Sequence, residues 1–140
     1  MILSKLMSGV VAAFFLALAS IAVAQPAQSQ DLASAWTGYY HYNDGRQPVP
    51  FRMTLRFNGN NFRGRVSEPA TFGTGASMLS ADVVGTITDG KVVFTKTYDG
   101  TGGQTHPVQY YGTLSPDGTK ISGGWLIETM SGTFIATVAR

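Results

Sequence analysis

The chain has 140 residues, enough for one domain that buries its own hydrophobic core. Its formal net charge of +2 is too weak a field to indicate nucleic acid or an anionic membrane as a partner. The sequence contains no cysteine, which excludes disulfides, thiolate metal sites and a lipid-modified cysteine anchor.

The first 24 residues have the three-part pattern of a secretory signal. Lys5 precedes an apolar run from Leu6 to Val23, and the small residues of Ala22-Val23-Ala24 match a signal peptidase site. The strongly apolar part of the run is short for a membrane span, which needs roughly 20 residues. We therefore expect residues 1–24 to be a cleaved signal peptide, with a mature protein that starts at Gln25. The expected location is periplasmic or extracellular, with no membrane span in the mature chain.

The rest of the chain predicts an all-β domain. Residues 25–34 are polar, small and without period, which indicates a flexible leader before a domain at residues 35–140. In that domain short alternating runs are separated by turn signals. The eight predicted strands are residues 35–42, 49–57, 61–67, 79–88, 91–98, 106–114, 119–128 and 133–139.

A recurring glycine pattern predicts that these strands close into a barrel. A glycine lies between two bulky residues, two positions away on either side, at Gly38, Gly64, Gly85, Gly112 and Gly123. Inward-facing glycines suit a strongly coiled sheet, and short connections then give an eight-stranded antiparallel up-and-down barrel. An open β-sandwich is the alternative. An outer-membrane barrel is disfavoured, because the opposite face carries several arginines and charge on a lipid face is costly.

The two ends of the predicted barrel differ in their connections. Tight turns at one end are indicated by Asn58–Asn61, Asp89-Gly90 and Ser115–Gly118, among which Asp-Gly is a strong hairpin signal. The connections predicted at the other end are residues 43–48, 68–78, 99–105 and 129–132, three of them long. Ligands enter small barrels at a mouth, so the long-loop end is the candidate site. The candidate ligand-binding residues are Tyr42, Phe72, Lys96, Tyr98, Asp99, His106, Tyr110 and Trp125.

Lys96 is the most informative of these candidates. The Asp89-Gly90 turn should pair Val83 with Lys96, on the face that also carries Phe94. Lys96 should therefore point into the barrel, where an unpaired ammonium is expensive. Two explanations remain open. An anionic or carbonyl-bearing ligand could bind the ammonium, or the lysine could extend towards the mouth and pair with Asp99 or Glu68.

Catalytic and metal-binding patterns are weak. The sequence has no Gly-x-Ser-x-Gly elbow and no phosphate-binding loop, and its two histidines, His41 and His106, should point to opposite faces of different strands. We therefore expect no enzyme activity, no metal site and no cofactor.

At the level of layout the chain resembles the calycins, the avidin-like and lipocalin-like barrels. The residues that carry the resemblance are Trp36-Thr37-Gly38, the Gly-x-bulky strand centres and Gly124–Ile127. It implies a small-molecule binder or a small secreted inhibitor, and no ligand residue of the family aligns with this chain. The predicted function is therefore a secreted barrel that binds a small, partly apolar ligand at its long-loop end. The alternative is a protein-interaction module or secreted inhibitor that acts through its loops.

Overall fold

The computed structural model describes residues 33–72 and 75–140. The predicted signal peptide and most of the predicted leader lie outside these residues. The first strand begins at Ala33, so the last two residues of the predicted leader belong to the barrel.

The described residues form eight antiparallel strands and one short 3-10 helix, Thr101–Gly103. The strands are β1 (Ala33–Tyr42), β2 (Val49–Asn58), β3 (Asn61–Pro69), β4 (Met78–Thr88), β5 (Lys91–Tyr98), β6 (Pro107–Leu114), β7 (Lys120–Ile127) and β8 (Met130–Val138). Each strand pairs with the next, and β8 pairs with β1 to close the barrel. The predicted eight-stranded up-and-down barrel is confirmed. No helix in this part of the chain has the length and hydropathy to cross a bilayer.

The barrel has a closed end and an open end. The closed end carries the turns at 59–60, 89–90 and 115–119, and the open end carries the connections 43–48, 70–77 and 99–106. The open end also holds the short turn from β7 to β8.

The prediction of a loop at 129–132 is wrong, because β7 and β8 are joined by a two-residue turn. Ile127 pairs with Met130, and Glu128 adopts a left-handed φ of 46° to make the turn. Gly132, the last residue of that predicted connection, is a strand residue. A Cβ there would lie 1.7 Å from the His41 carbonyl oxygen and 2.5 Å from Trp125 Nε1. The glycine therefore permits close packing rather than a turn.

Aromatic side chains fill the middle of the barrel and its closed half. The rings of Phe94 and Tyr110 stack at 4.5 Å, and Phe62 and Phe134 meet Phe94 edge-on at 5.9 and 5.8 Å. The strong curvature of the sheet depends on close backbone approach, as the paired Gly112 and Gly123 of β6 and β7 show. A Cβ on Gly123 would lie 2.0 Å from the Tyr111 carbonyl oxygen. The two neighbouring backbones can come this close because the position has no side chain, as predicted for the inward-facing glycines.

β1 starts and β8 finishes at the closed end. Trp36 pairs with Val138, and the Ala139 amide donates to the Ala35 carbonyl at 2.8 Å. The first residue of β1 and the last residue of β8 therefore lie at the end opposite the open connections.

Candidate functional site

A cavity of about 480 Å³ opens at the open end of the barrel. Seven of the fourteen lining residues carry aromatic rings, and charged and polar groups lie among them. The lining residues are Tyr40, Tyr42, Arg46, Phe72, Lys96, Tyr98, His106, Val108, Tyr110, Trp125, Ile127, Glu128, Thr129 and Met130. The strands that carry the inner wall are held by the closed sheet, so the cavity is part of a rigid scaffold.

The structure brings seven of the eight candidate residues together in this lining, and Asp99 is the exception. Because Asp99 follows the inward-facing Tyr98 by one residue, its side chain turns to the outer face. There it accepts hydrogen bonds from the amide and hydroxyl of Thr101 and pairs with Arg65 at 2.6 Å. The Thr101 hydrogen bonds, helped by Arg65, lower the pKa of Asp99. Asp99 therefore drops out of the candidate set and is not the partner of Lys96.

Lys96 points into the barrel, as the turn register predicted. It pairs with Val83 across the sheet, and only 3% of its surface is exposed. Its ammonium donates to Glu68 Oε2 and to the Tyr98 hydroxyl, both at 2.9 Å. The Tyr98 hydroxyl in turn donates to Glu68 Oε1, which also accepts from Tyr40 at 3.2 Å. We call Lys96, Glu68, Tyr98 and Tyr40 the buried network.

The buried network is electrically balanced. Glu68 is 1% exposed and supplies one negative charge against the one positive charge of Lys96. Burial lowers the pKa of Lys96, and the Glu68 carboxylate opposes that shift. The rings of Tyr40 and Tyr98 lie 4.9 and 4.6 Å from the ammonium and add cation–π attraction.

The tyrosine hydroxyls of the network are held as hydrogen-bond donors. Burial, and after it the Glu68 charge, raises the pKa of both Tyr40 and Tyr98. Both phenols therefore stay protonated at neutral pH. Glu68 keeps two neutral donors in addition to its lysine, which satisfies a carboxylate that has left water.

Tyr110 provides a further hydroxyl on the inner wall. Its side chain is buried, and its ring lies 5.6 Å from the Lys96 ammonium. Burial raises the pKa of Tyr110, so this hydroxyl also stays protonated. The Tyr110 hydroxyl has no hydrogen-bond partner among the described residues. Every polar side-chain atom there that is fully shielded from solvent does have a partner. The Tyr110 hydroxyl is therefore not fully shielded, and it is open to the cavity.

The mouth is built from aromatic rings that contact one another edge-on. Trp125 lies 5.0 Å from Tyr42, and its Nε1 donates to the His41 carbonyl at 3.0 Å, which fixes the indole. On the other side Phe72 lies 5.8 Å from Tyr98. It lies 6.0 Å from His106, whose pKa is lowered by burial. Neutral aromatic surface therefore lines the mouth on both sides.

The rim of the mouth carries charges of both signs. The guanidinium of Arg46 lies 4.1 Å from the Tyr42 ring centre and is paired with Asp44. Glu128, in the short turn, lines the mouth as well.

Sequence reasoning missed several lining residues for two different reasons. Tyr40, Val108 and Ile127 share the inward parity of Tyr42, Tyr110 and Trp125, so extending the alternation along each strand would have found them. The incorrect position of the predicted β7–β8 connection explains why the sequence did not indicate Glu128, Thr129 and Met130. The position of Arg46 over Tyr42 has no sequence signal.

Comparison with known proteins adds no family to this geometry. Neither the protein-family models nor the curated proteins contain a match for this chain. The eight-stranded antiparallel layout is compatible with the calycin-like arrangement, which remains a resemblance. Within residues 33–72 and 75–140, no group of three or more His, Asp or Glu side chains is arranged to hold a metal ion. His41 is exposed, whereas His106 lines the mouth.

Proposed function

We propose that this barrel binds a small, partly apolar ligand in the open-end cavity. The observation that carries the proposal is the cavity itself, about 480 Å³ in volume, with aromatic rings on half of its lining residues. Small-molecule sites are typically concave, roughly 300–1,000 Å³ in volume and largely apolar, with a few placed polar groups. We also propose export to the periplasm or outside the cell, on the basis of the signal pattern in residues 1–24.

Packing supports this proposal, because several side chains of the cavity wall are held in place by hydrogen bonds within the protein. Trp125 is fixed by its hydrogen bond to the β1 backbone, and Tyr40 and Tyr98 are fixed by Glu68. Side chains held in this way lose little conformational freedom when a ligand arrives, which favours binding.

Two neighbouring residues of β7 allow a matched test. Ile127 lines the cavity, whereas Leu126 points outward and is 47% exposed. Ile127→Trp should fill part of the cavity, and Leu126→Trp should add the same indole on the outside. The neutral fluorescent probe N-phenyl-1-naphthylamine can be titrated into each folded protein.

We expect the probe to bind the wild-type protein and the Leu126→Trp variant with affinities within about twofold. Ile127→Trp should weaken binding at least tenfold, about 1.4 kcal/mol. Absence of probe binding to the wild type, or equal binding by all three proteins, contradicts the proposal.

The alternative is a protein-interaction module that acts through its loops. We favour ligand binding because Lys96 is buried beside the cavity rather than exposed to bulk solvent, so the barrel interior keeps its charged residue. A protein partner that is captured by the wild type and lost on shortening loop 68–78 or 99–105, without any probe binding, would favour the alternative.

A further inference from the structure

The inner end of the cavity indicates which polar group a ligand should carry. The inference rests on the proposed function and concerns the chemical class of the ligand. Its evidence is the charge balance of the buried network and the hydrogen-bond donors that remain available beside it.

A charged ligand group is disfavoured at the inner end. The ammonium of Lys96 already faces the Glu68 carboxylate at 2.9 Å, and both side chains are buried. A ligand carboxylate would bring a second anion beside Glu68 to compete for one lysine. A ligand ammonium would likewise bring a second cation beside Lys96 to compete for the one Glu68 carboxylate. In a poorly hydrated site, like charges repel more strongly than in water, and a buried charge needs its own partner.

A neutral hydrogen-bond acceptor fits the donors that remain. An ammonium has three N–H donors, and two of those on Lys96 are used by Glu68 and Tyr98. The Tyr110 hydroxyl is open to the cavity, and its ring lies 5.6 Å from the same ammonium. A carbonyl oxygen accepts two hydrogen bonds and can use both donors without disturbing the ion pair.

The mouth favours a flat ring as the rest of the ligand. Trp125 and Tyr42 form one side and Phe72 and His106 the other, with their ring planes inclined to one another. Aromatic side chains contact planar rings by offset stacking and edge-to-face packing.

We propose that the ligand is an uncharged, flat ring compound with a carbonyl-type acceptor. The ring lies between the aromatic residues of the mouth, and the acceptor oxygen points inward to the Tyr110 hydroxyl and the free N–H of Lys96.

Four probes with the same bicyclic ring test the proposal. They are 2-acetylnaphthalene, naphthalene, 2-naphthoate and 2-naphthylmethylammonium, each used to displace N-phenyl-1-naphthylamine from the wild-type protein at pH 7.5. The ketone should bind roughly fivefold tighter than naphthalene, as one net hydrogen bond allows. It should bind at least tenfold tighter than the carboxylate or the ammonium.

Variants of two adjacent tyrosines, Tyr110 and Tyr111, test where the acceptor of the ligand binds. Tyr110→Phe should lower the ketone-to-naphthalene affinity ratio by at least about twofold, because only the free N–H of Lys96 then remains as a donor. Tyr111→Phe removes a hydroxyl from an outward, 55% exposed side chain and should leave the ratio unchanged. The probe series on the wild type stands by itself if Tyr110→Phe does not fold.

The outcomes separate this inference from the proposed function. Tighter binding of the carboxylate or the ammonium than of the ketone overturns the ligand class while the binding function stands. A ketone that gains nothing over naphthalene also overturns it. Failure of N-phenyl-1-naphthylamine itself to bind overturns both.

Discussion

The two halves of the barrel interior use the same strands for different purposes. In β5, Phe94 packs among aromatic rings of the closed half, whereas Lys96, two residues further along the same face, enters a hydrogen-bonded network beside open space. The closed half is packed with apolar side chains, and the open half is polar at its inner end and hollow at the mouth. The difference shows how a single sheet can pack a core at one end and leave an open cavity at the other.

The largest expected effect compares a ring from each half. Phe94→Ala should lower the free energy of unfolding by about 3–5 kcal/mol, because it leaves a cavity inside close packing. Trp125→Ala should cost about 3 kcal/mol, the low end of that range, because Trp125 borders a cavity that water can enter. Urea unfolding of both variants measures the difference. A Trp125 loss larger than the Phe94 loss would contradict the comparison, and an unchanged melting temperature would show that Trp125 is not structural.

The next effect tests the polar inner end of the open half. Lys96→Met leaves Glu68 as a buried, uncompensated charge, so we expect a loss of about 3 kcal/mol of unfolding free energy. The double variant Lys96→Met with Glu68→Met should recover most of that loss, since buried ion pairs are often replaceable by apolar groups. A thermodynamic cycle of the two single variants and the double variant measures the coupling. Additive losses would show that the ion pair is not coupled.

The smallest effect concerns alkaline pH and the three buried tyrosines Tyr40, Tyr98 and Tyr110. Burial raises the pKa of each, so the folded state keeps protons that the unfolded state releases above pH about 10. Their stabilising contribution is full below that pH and is lost as pH rises above it, by about 1 kcal/mol per tyrosine between pH 10.5 and 11.5.

Lys96 acts in the opposite sense and at lower pH. Because the pKa of Lys96 is lowered in the folded protein, the unfolded state binds more protons than the folded state below about pH 10.4. The contribution of Lys96 to stability therefore rises with pH up to about that value and levels off above it. Urea unfolding at pH 10.5 and 11.5 therefore reports mainly on the tyrosines. Burial also raises the pKa of Tyr42, so Tyr98→Phe should reduce the wild-type drop by roughly a quarter to a third. An equal drop in both proteins would contradict the assignment.

The sequence predicts local pairing well and contacts across the barrel poorly. The Asp89-Gly90 turn sets the register of β4 and β5, and the inward direction of Lys96 follows from it by alternation. Alternation also excludes Asp99 as its partner, because Asp99 follows the inward-facing Tyr98 by one residue, whereas Glu68 shares the inward face of Val66. Pairwise registers do not show that Glu68 of β3 and Lys96 of β5, with β4 between their strands, come within 2.9 Å of each other in the interior.

Gly132 shows that one residue type can have two structural uses. It falls within the connection predicted at 129–132, yet it lies in β8 and permits the close approach of Trp125. A glycine that permits left-handed backbone and one that makes room for a neighbour are identical in the sequence, and only the packing separates them.

The paired ends of β1 and β8 have a consequence for how the protein can be displayed. β8 ends at Val138 at the closed end, so a tag, linker or surface attached after Arg140 lies at the end opposite the mouth. A barrel immobilised in this way should therefore keep its mouth facing the solution. Biosensor measurements can use that orientation without hindering access.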